Sequence, residues 1–459
     1  MKKTPYLASL LVATTTLTSC GPRAGFTGAR NEVTLMTLDP GHFHAALVQK
    51  VTYDQIASKV YVYAPAGPDV QGHLDRIQAF NTREENPTDW EQVVYSGEDF
   101  LTRMTNDRPG NVVVISGNNR HKTDYIKACA DAGLNLLVDK PMCIDKQGFA
   151  RLLEAFDVAT EQGVLLYDIM TERSEINTLL QKALMHDERV FGELRPGSLE
   201  EPAVELESVH HLFKYVSGRP LKRPGWYMDT SQQGEGIVDV TVHLVDLAVW
   251  QCFPGVAIDY QQDIEVLAAR RWPTRITREQ YQRVTGLDDF IPELKARLDD
   301  EGVLLCYANG EISFRIKGVH VKVRVMWNYE APEGGKDTHF AVLRGTKANL
   351  VIRQGPEQNY RPELTIEPAT RTNRVSLAMA LPNAIRPLQA RYPGVKIEKV
   401  KEGWHVIIPE AHRIGHEAHF GQVTERFLQY LVDGKLPDWE IANMKAKYYV
   451  TTTALEMAR

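Results

Sequence analysis

Between Val33 and about Tyr167 short apolar runs alternate with helical patterns, and this alternation restricts the fold more than any other feature of the chain. The runs are "VTLMTL", "KVYVYA", "QVVYS", "NVVVIS", "NLLVDKP" and "VLLYD". Between them, Thr123 to Ala132 and Gln147 to Gln162 carry apolar residues at three- and four-residue spacing, as an amphipathic helix does. Strand and helix alternating over such short intervals imply parallel strands joined by crossover helices. The expectation is an α/β protein whose residues 33–170 form a Rossmann-type doubly wound parallel sheet.

From about Arg189 the pattern changes to period two. "ISFRIKGVHVKVRVMWNY", "HFAVLRGTKANLVIR" and "WHVIIP" alternate apolar with polar residues and are separated by Gly, Pro and Asn turns. That is the pattern of an antiparallel sheet with one solvated face. Thr277 to Asp300 reads as a charged helical insertion, and His416 to Val432 and Asp438 to Ala458 read as two closing helices. Residues 171–459 are expected to form an α+β domain with a large, open, mostly antiparallel sheet and C-terminal helices.

The first residues read as an address. Lys2 and Lys3 precede an apolar run from Tyr6 to Leu17, too short for a membrane span of ~20 residues and suited to a secretory signal. The run ends in Leu17-Thr18-Ser19-Cys20, which resembles a bacterial lipobox with Cys20 as the lipidated residue. This predicts a signal peptide over 1–19, a tether over 20–32 and an exported body held to the membrane only through its lipid. The tether lacks the acidic patch of surface-directed lipoproteins of the Bacteroidetes type, which favours the periplasm. A formal charge of −6 without a basic tract argues against nucleic acid as partner. Cys129, Cys143, Cys252 and Cys306 form no CxxC pair, and no His/Cys spacing points to zinc, so no metal is expected.

The turn after the first run reads Asp39-Pro40-Gly41-His42-Phe43-His44. In a G-x-G-x-x-G loop, three glycines make the tight turn, admit a pyrophosphate to the backbone and allow close helix–strand packing. Here Asp39, Gly41 and His44 hold those places, so only the close-approach glycine is present. The acidic residue expected ~20 positions on, for the ribose hydroxyls, is missing where the second run ends Tyr63-Ala64-Pro65. No arginine replaces it. NAD is the expected cofactor, with NADP not excluded.

Downstream, "VVVISGNNRHKTDYIKACADAGLNLLVDKPM" resembles the fourth and fifth strand units of the Gfo/Idh/MocA (glucose–fructose oxidoreductase and inositol dehydrogenase) family. Asn118 and His121 match that family's T-P-N-x-x-H turn, with Ser116-Gly117 in place of Thr-Pro. Asp139-Lys140-Pro141 matches its E-K-P. "QGEGIVDVTVHLVDLAVW" resembles its G-G-G-x-x-x-D-x-x-x-H-x-x-D segment through Gly234, Gly236, Asp239, His243 and Asp246. The resemblance covers Val33 to Trp250 well and the remainder in outline. It implies cofactor contacts from Asp39, Gly41, His42, Phe43, Ser116, Asn118, His121, Asp139, Lys140 and Pro141. It also implies self-association through the open sheet.

Asp239 and His243 are four apart on a helix-patterned stretch, so they share a face, and a carboxylate beside an imidazole fixes its tautomer and raises its basicity. Their alternative reading is a satisfied core histidine and a cap. The expected chemistry is hydride transfer from a secondary hydroxyl of a sugar or glycoside, such as that at C3. His243 would be the base, Asp239 its orienting group, and Lys140 the cation at the reacting oxygen, with lysine and histidine able to exchange roles. His210, Trp226 and Asp246 are substrate candidates, against edge-strand and core roles. "AHRIGHEAHF" groups His412, His416 and His419, but as HExH rather than the metal-binding HExxH. Two alternatives stand beside the dehydrogenase: a redox-assisted glycoside hydrolase that keeps NAD bound, and a non-catalytic sugar-binding lipoprotein on a decayed scaffold.

Overall fold

A computed structural model describes residues 25–216 and 219–459; Cys20 and the signal segment lie outside the described residues. The first layer system contains β1 (Leu35–Leu38), α1 (His44–Leu47), β2 (Lys59–Ala64), α2 (Pro68–Thr82), β3 (Glu91–Ser96) and α3 (Phe100–Asp107). It continues with β4 (Val112–Ile115), α4 (Lys122–Asp131), β5 (Asn135–Asp139), α5 (Lys146–Gln162) and β6 (Leu166–Ile169). All six strands are parallel, in the order β3-β2-β1-β4-β5-β6. This is the expected doubly wound sheet, with its topological switch point between β1 and β4. β1, β4 and β5 are fully buried, as strands covered on both faces must be.

The second part opens with α6 (Ile176–Met185), β7 (Val204–Phe213), a short hairpin β8 (Tyr215–Val216) and β9 (Arg219–Pro220), and α7 (Thr241–Cys252). β10 (Ile264–Ile276) follows, then the insertion, which forms two short helices, α8 (Arg278–Thr285) and α9 (Pro292–Lys295). β11 (Leu304–Ile316), β12 (Val319–Glu330), β13 (Thr338–Arg344), β14 (Ala348–Gln354) and β15 (Glu363–Pro368) come next. α10 (Asn373–Arg391), β16 (Lys396–Lys399), β17 (Trp404–Ile407), α11 (His416–Asp433) and α12 (Asp438–Ala458) complete the chain.

The nine-stranded sheet runs β10-β11-β12-β7-β13-β14-β15-β17-β16, antiparallel except where β12 pairs with β7. Lys317 and Gly318, both at positive φ, turn β11 into β12, the two-residue geometry that matches strand twist. One face carries α6, α7 and α12. The other carries cross-strand ion pairs, Arg324 with Glu207, Lys322 with Glu311, Arg344 with Glu205 and Arg353 with Glu367.

α11 returns to the first part. Phe420, Val423, Phe427, Leu428 and Leu431 form one helical face and join the core of the parallel sheet. Each such side chain contributes about 1.5–3 kcal/mol by leaving water, so the closing helix clamps the two parts together. Among the described residues no helix is long and apolar enough to cross a membrane, and the described cysteines are free thiols.

The segment after the first turn forms only the four-residue α1. α10 was unforeseen because Pro382 and Pro387 lie inside it, yet Leu377, Leu381, Ala384 and Ile385 bury a regular stripe.

Candidate active site

Parallel strands end in unpaired backbone at their carboxyl edges, and the crevice at the switch point is where such sheets bind ligands. Here it is built from the turn after β1, the turn after β4 and the Asp139-Lys140-Pro141 step after β5. Asp39 holds a left-handed φ of 46° where a glycine would be unstrained. Its carboxylate accepts from Tyr125 Oη at 3.1 Å, and burial raises its pKa. A Cβ on Gly117 would lie 2.1 Å from the Asp39 carbonyl oxygen, so the two turns are in backbone contact.

Gly41 also has no spare room: a Cβ would come within 3.0 Å of Asp69 Oδ2 and 3.2 Å of Trp226 Cζ2. Trp226 Nε1 donates to that same Asp69 oxygen at 2.9 Å, which pins the indole against the turn. Trp226 thus lies against the turn after β1. Phe43 packs against the rings of both His42 and His44. Asn118 bridges the two parts, donating to Gln232 Oε1 at 2.6 Å. His121 does not face the crevice closely; it stands at the start of α4 with a side chain 60% exposed, beside Asp124.

After β5 the Asp139 carboxylate is buried, accepting from Ser116 Oγ at 2.8 Å and facing His44 Nδ1 at 2.9 Å. Burial pushes its pKa up, but His44 and Lys122 outweigh this and hold it well below the usual carboxylate range. Lys140 turns the other way, and its Nζ donates to Asp239 Oδ1 at 2.8 Å. Burial opposes the ammonium, yet Asp239 and Asp139 keep its pKa above the ordinary lysine value.

Asp239 was expected to orient His243, and it does not. It sits in the turn before α7, with Oδ1 on Lys140 and Oδ2 on Gln233 Nε2 at 3.0 Å. The lysine wins because an ammonium–carboxylate bond is stronger than one to a neutral ring. His243, in the first turn of α7, keeps a buried Nδ1 with no partner among the described residues. Burial lowers its pKa well below the ordinary imidazole value, and the Lys140 charge adds to that. Charge thus separates the two: the surroundings of Lys140 favour its ammonium and those of His243 its neutral ring.

Asp246 is a second correction. It is 2% exposed and bound bidentately by Arg173 at 2.6 Å, with Lys447 Nζ at 2.7 Å, so it anchors α7 and is not offered to a substrate. His210 does stay near the site, stacked on Trp327 at 4.8 Å, with Nδ1 3.5 Å from Asp337 and a buried, unpartnered Nε2.

Three groups were missed or undervalued in the sequence. His44 was read only as a lost glycine. His416, one of three clustered histidines, alone reaches the site; its ring is 5.4 Å from that of His44, and burial pulls its pKa down to about 3. Glu172, in the 3-10 turn Thr171–Ser174, is pushed up to about 7 by burial and the charge of Glu175, against the pull of Lys140. No local motif marks it.

Residues 180–459 match the "Putative oxidoreductase C terminal domain" family, more than half of the chain. A crystal structure of a putative oxidoreductase from Parabacteroides merdae is 56% identical, with 95% of this chain and 99% of that one covered at a TM-score of 0.93. Levoglucosan dehydrogenase in complex with NADH and levoglucosan shares 13% identity, covering 93% and 96% at a TM-score of 0.58. A 3-ketoreductase from Actinomadura kijaniata, in complex with NADP, shares 15% identity, covering 94% and 98% at 0.54. The last two are likenesses of fold. No curated protein matches the sequence. With a Rossmann-type sheet joined to a nine-stranded sheet, the chain belongs to the oxidoreductase family defined by this C-terminal domain.

Proposed function

We propose that the protein is a nicotinamide-dinucleotide-dependent oxidoreductase acting on a secondary hydroxyl of a sugar or glycoside, with NAD the first candidate and NADP the second. The observation that carries this reading is the pair at the switch-point crevice: Lys140, held cationic by Asp239, and His243, neutral with an unpartnered Nδ1. A neutral imidazole accepts the hydroxyl proton while the ammonium stabilises the oxygen that loses it. Bound nicotinamide would supply the hydride acceptor. Gly41, Asn118 and Lys140 would hold the dinucleotide, with the side-chain-free Gly41 reachable only where Trp226 and Asp69 now cover it. The contact of Trp226 with Asp69 over Gly41 has to open to admit a pyrophosphate.

The test is calorimetric titration of NAD+, NADH and NADP+ into the chain after stripping any copurified cofactor. Micromolar binding followed by oxidation of a glycoside supports the reading; a folded protein that binds none of the three defeats it, in favour of a sugar-binding lipoprotein.

Glu172 favours a second reading, redox-neutral cleavage of a glycoside with the dinucleotide retained. A carboxyl titrating near 7 can protonate a departing glycosidic oxygen, which simple oxidation does not need. Glycoside consumption without net cofactor reduction would select it. Anchoring through Cys20, a periplasmic location and self-association through the open sheet face belong to the same proposal and rest on the sequence alone.

A further inference from the structure

In a glycine-rich turn the residues after β1 present bare backbone amides to a phosphate. Here they present two imidazoles to a carboxylate. One ring nitrogen of His42, one of His44 and an oxygen of Asp139 all lie within 4.8 Å of one another. Asp139 Oδ2 is 2.9 Å from His44 Nδ1 and 3.7 Å from His42 Nδ1. Donors bound to one zinc-like cation, each about 2.0–2.2 Å from it, stand roughly 3–3.5 Å apart.

Hydrogen bonding accounts for only part of this arrangement. A proton on His44 Nδ1 satisfies Asp139, but 3.7 Å is too long for a hydrogen bond from His42. The His42 Nδ1 receives instead a long backbone N–H from His44 at 3.4 Å, which marks it as a lone-pair acceptor. The surroundings supply supports for the ligands: Ser116 Oγ donates to Asp139 and the His416 ring lies beside His44. One opposing charge is present, Lys122, whose Nζ donates to the Asp139 carbonyl oxygen at 3.0 Å. Burial already pulls that lysine down to about 8.

We propose that His42, His44 and Asp139 form a binding site for one divalent transition cation of the zinc class, at the carboxyl ends of β1 and β5. The site lies beside Gly41 in the turn and leaves Gly41, Lys140 and His243 outside its ligand set.

The experiment is titration of the chelator-dialysed full chain with Co2+, read by visible absorption, with Zn2+ competition. One equivalent should saturate the spectrum, Zn2+ should displace it, and Zn2+ should raise the melting temperature, because a ligand of the folded state alone stabilises it. His42→Ala, on the least buried ligand, should fold normally and bind Co2+ at least tenfold more weakly. Asp139→Asn should do the same. Absence of a Co2+ spectrum in the folded wild type, or unchanged Co2+ affinity in folded His42→Ala, overturns the proposal and leaves a simple His44–Asp139 hydrogen bond. Neither readout depends on dinucleotide binding, so this proposal and the oxidoreductase reading fail separately.

Discussion

Lys447→Met tests whether the charges behind α7 are structural. Lys447 is fully buried, with Nζ 2.8 Å from Asp168 Oδ2 and 2.7 Å from Asp246 Oδ1. Arg173 binds Asp246 and Glu440 in the same cluster, each at 2.6 Å. Two cations thus face three carboxylates, and the variant leaves Arg173 alone against all three. Methionine keeps most of the volume, so a cavity adds little. Breaking a buried pair from one side costs about 3–5 kcal/mol, because the remaining charges stay buried and uncompensated. In urea the midpoint should fall by roughly 1–1.7 M for an m value of about 3 kcal/mol/M. The deficit should narrow between pH 7 and pH 5. Uncompensated carboxylates bind protons in the folded variant at a pH where the unfolded chain does not, so the variant gains stability as pH falls. Wild-type Asp246, held well below its ordinary value, keeps its contribution throughout that window and loses it only in stronger acid. A loss under about 1 kcal/mol at pH 7, or a deficit independent of pH, would refute this account and return Asp246 to the substrate candidates.

Lys140→Gln should lower turnover by about 10²–10³ while sugar binding persists, as expected for loss of a preorganised charge at the reacting oxygen; steady-state kinetics with the substrate found by screening would check it. Gly236→Ala should lower stability by at least about 3 kcal/mol in urea unfolding, since the new Cβ would lie 1.8 Å from the Ala308 carbonyl oxygen and backbone cannot move aside cheaply. Glu172→Gln acts through pH. The raised Glu172 favours the folded state below its unfolded value of about 4.5, and that contribution is lost as pH rises through about 7. The variant should therefore be more stable than wild type at pH 8, by up to roughly 3 kcal/mol, and should show a flatter profile between pH 5 and 8. Trp226→Phe should abolish the fluorescence change on NAD+ addition if the indole must leave Gly41; an undiminished change would place the dinucleotide elsewhere.

Residue periodicity carried the architecture. β2 runs from Lys59 to Ala64 and α12 from Asp438 to Ala458, as the patterns predict, because a strand's alternation and a helix's apolar stripe are local properties written along the chain. The glycine-rich turn was legible as a place and not as a chemistry. The sequence showed that Asp39 and His44 stand where glycines belong; only the folded chain shows His44 turned to Asp139, 95 residues away, and α1 cut to a single turn.

The same division runs through the candidate catalytic residues. Lys140, Asp239 and His243 were visible as a set, but their pairing was not. Helical spacing put Asp239 with His243, whereas the fold brings Lys140 to Asp239 from 99 positions away. Spacing likewise grouped Asp246 with them, while Arg173 and Lys447, 73 and 201 residues distant, claim it. The sequence by itself determined the strand order's class, the location of the crevice and the residue types available there. Tertiary structure decided which charges meet, because ion pairing depends on separation in space and on burial, and neither is a property of neighbouring residues.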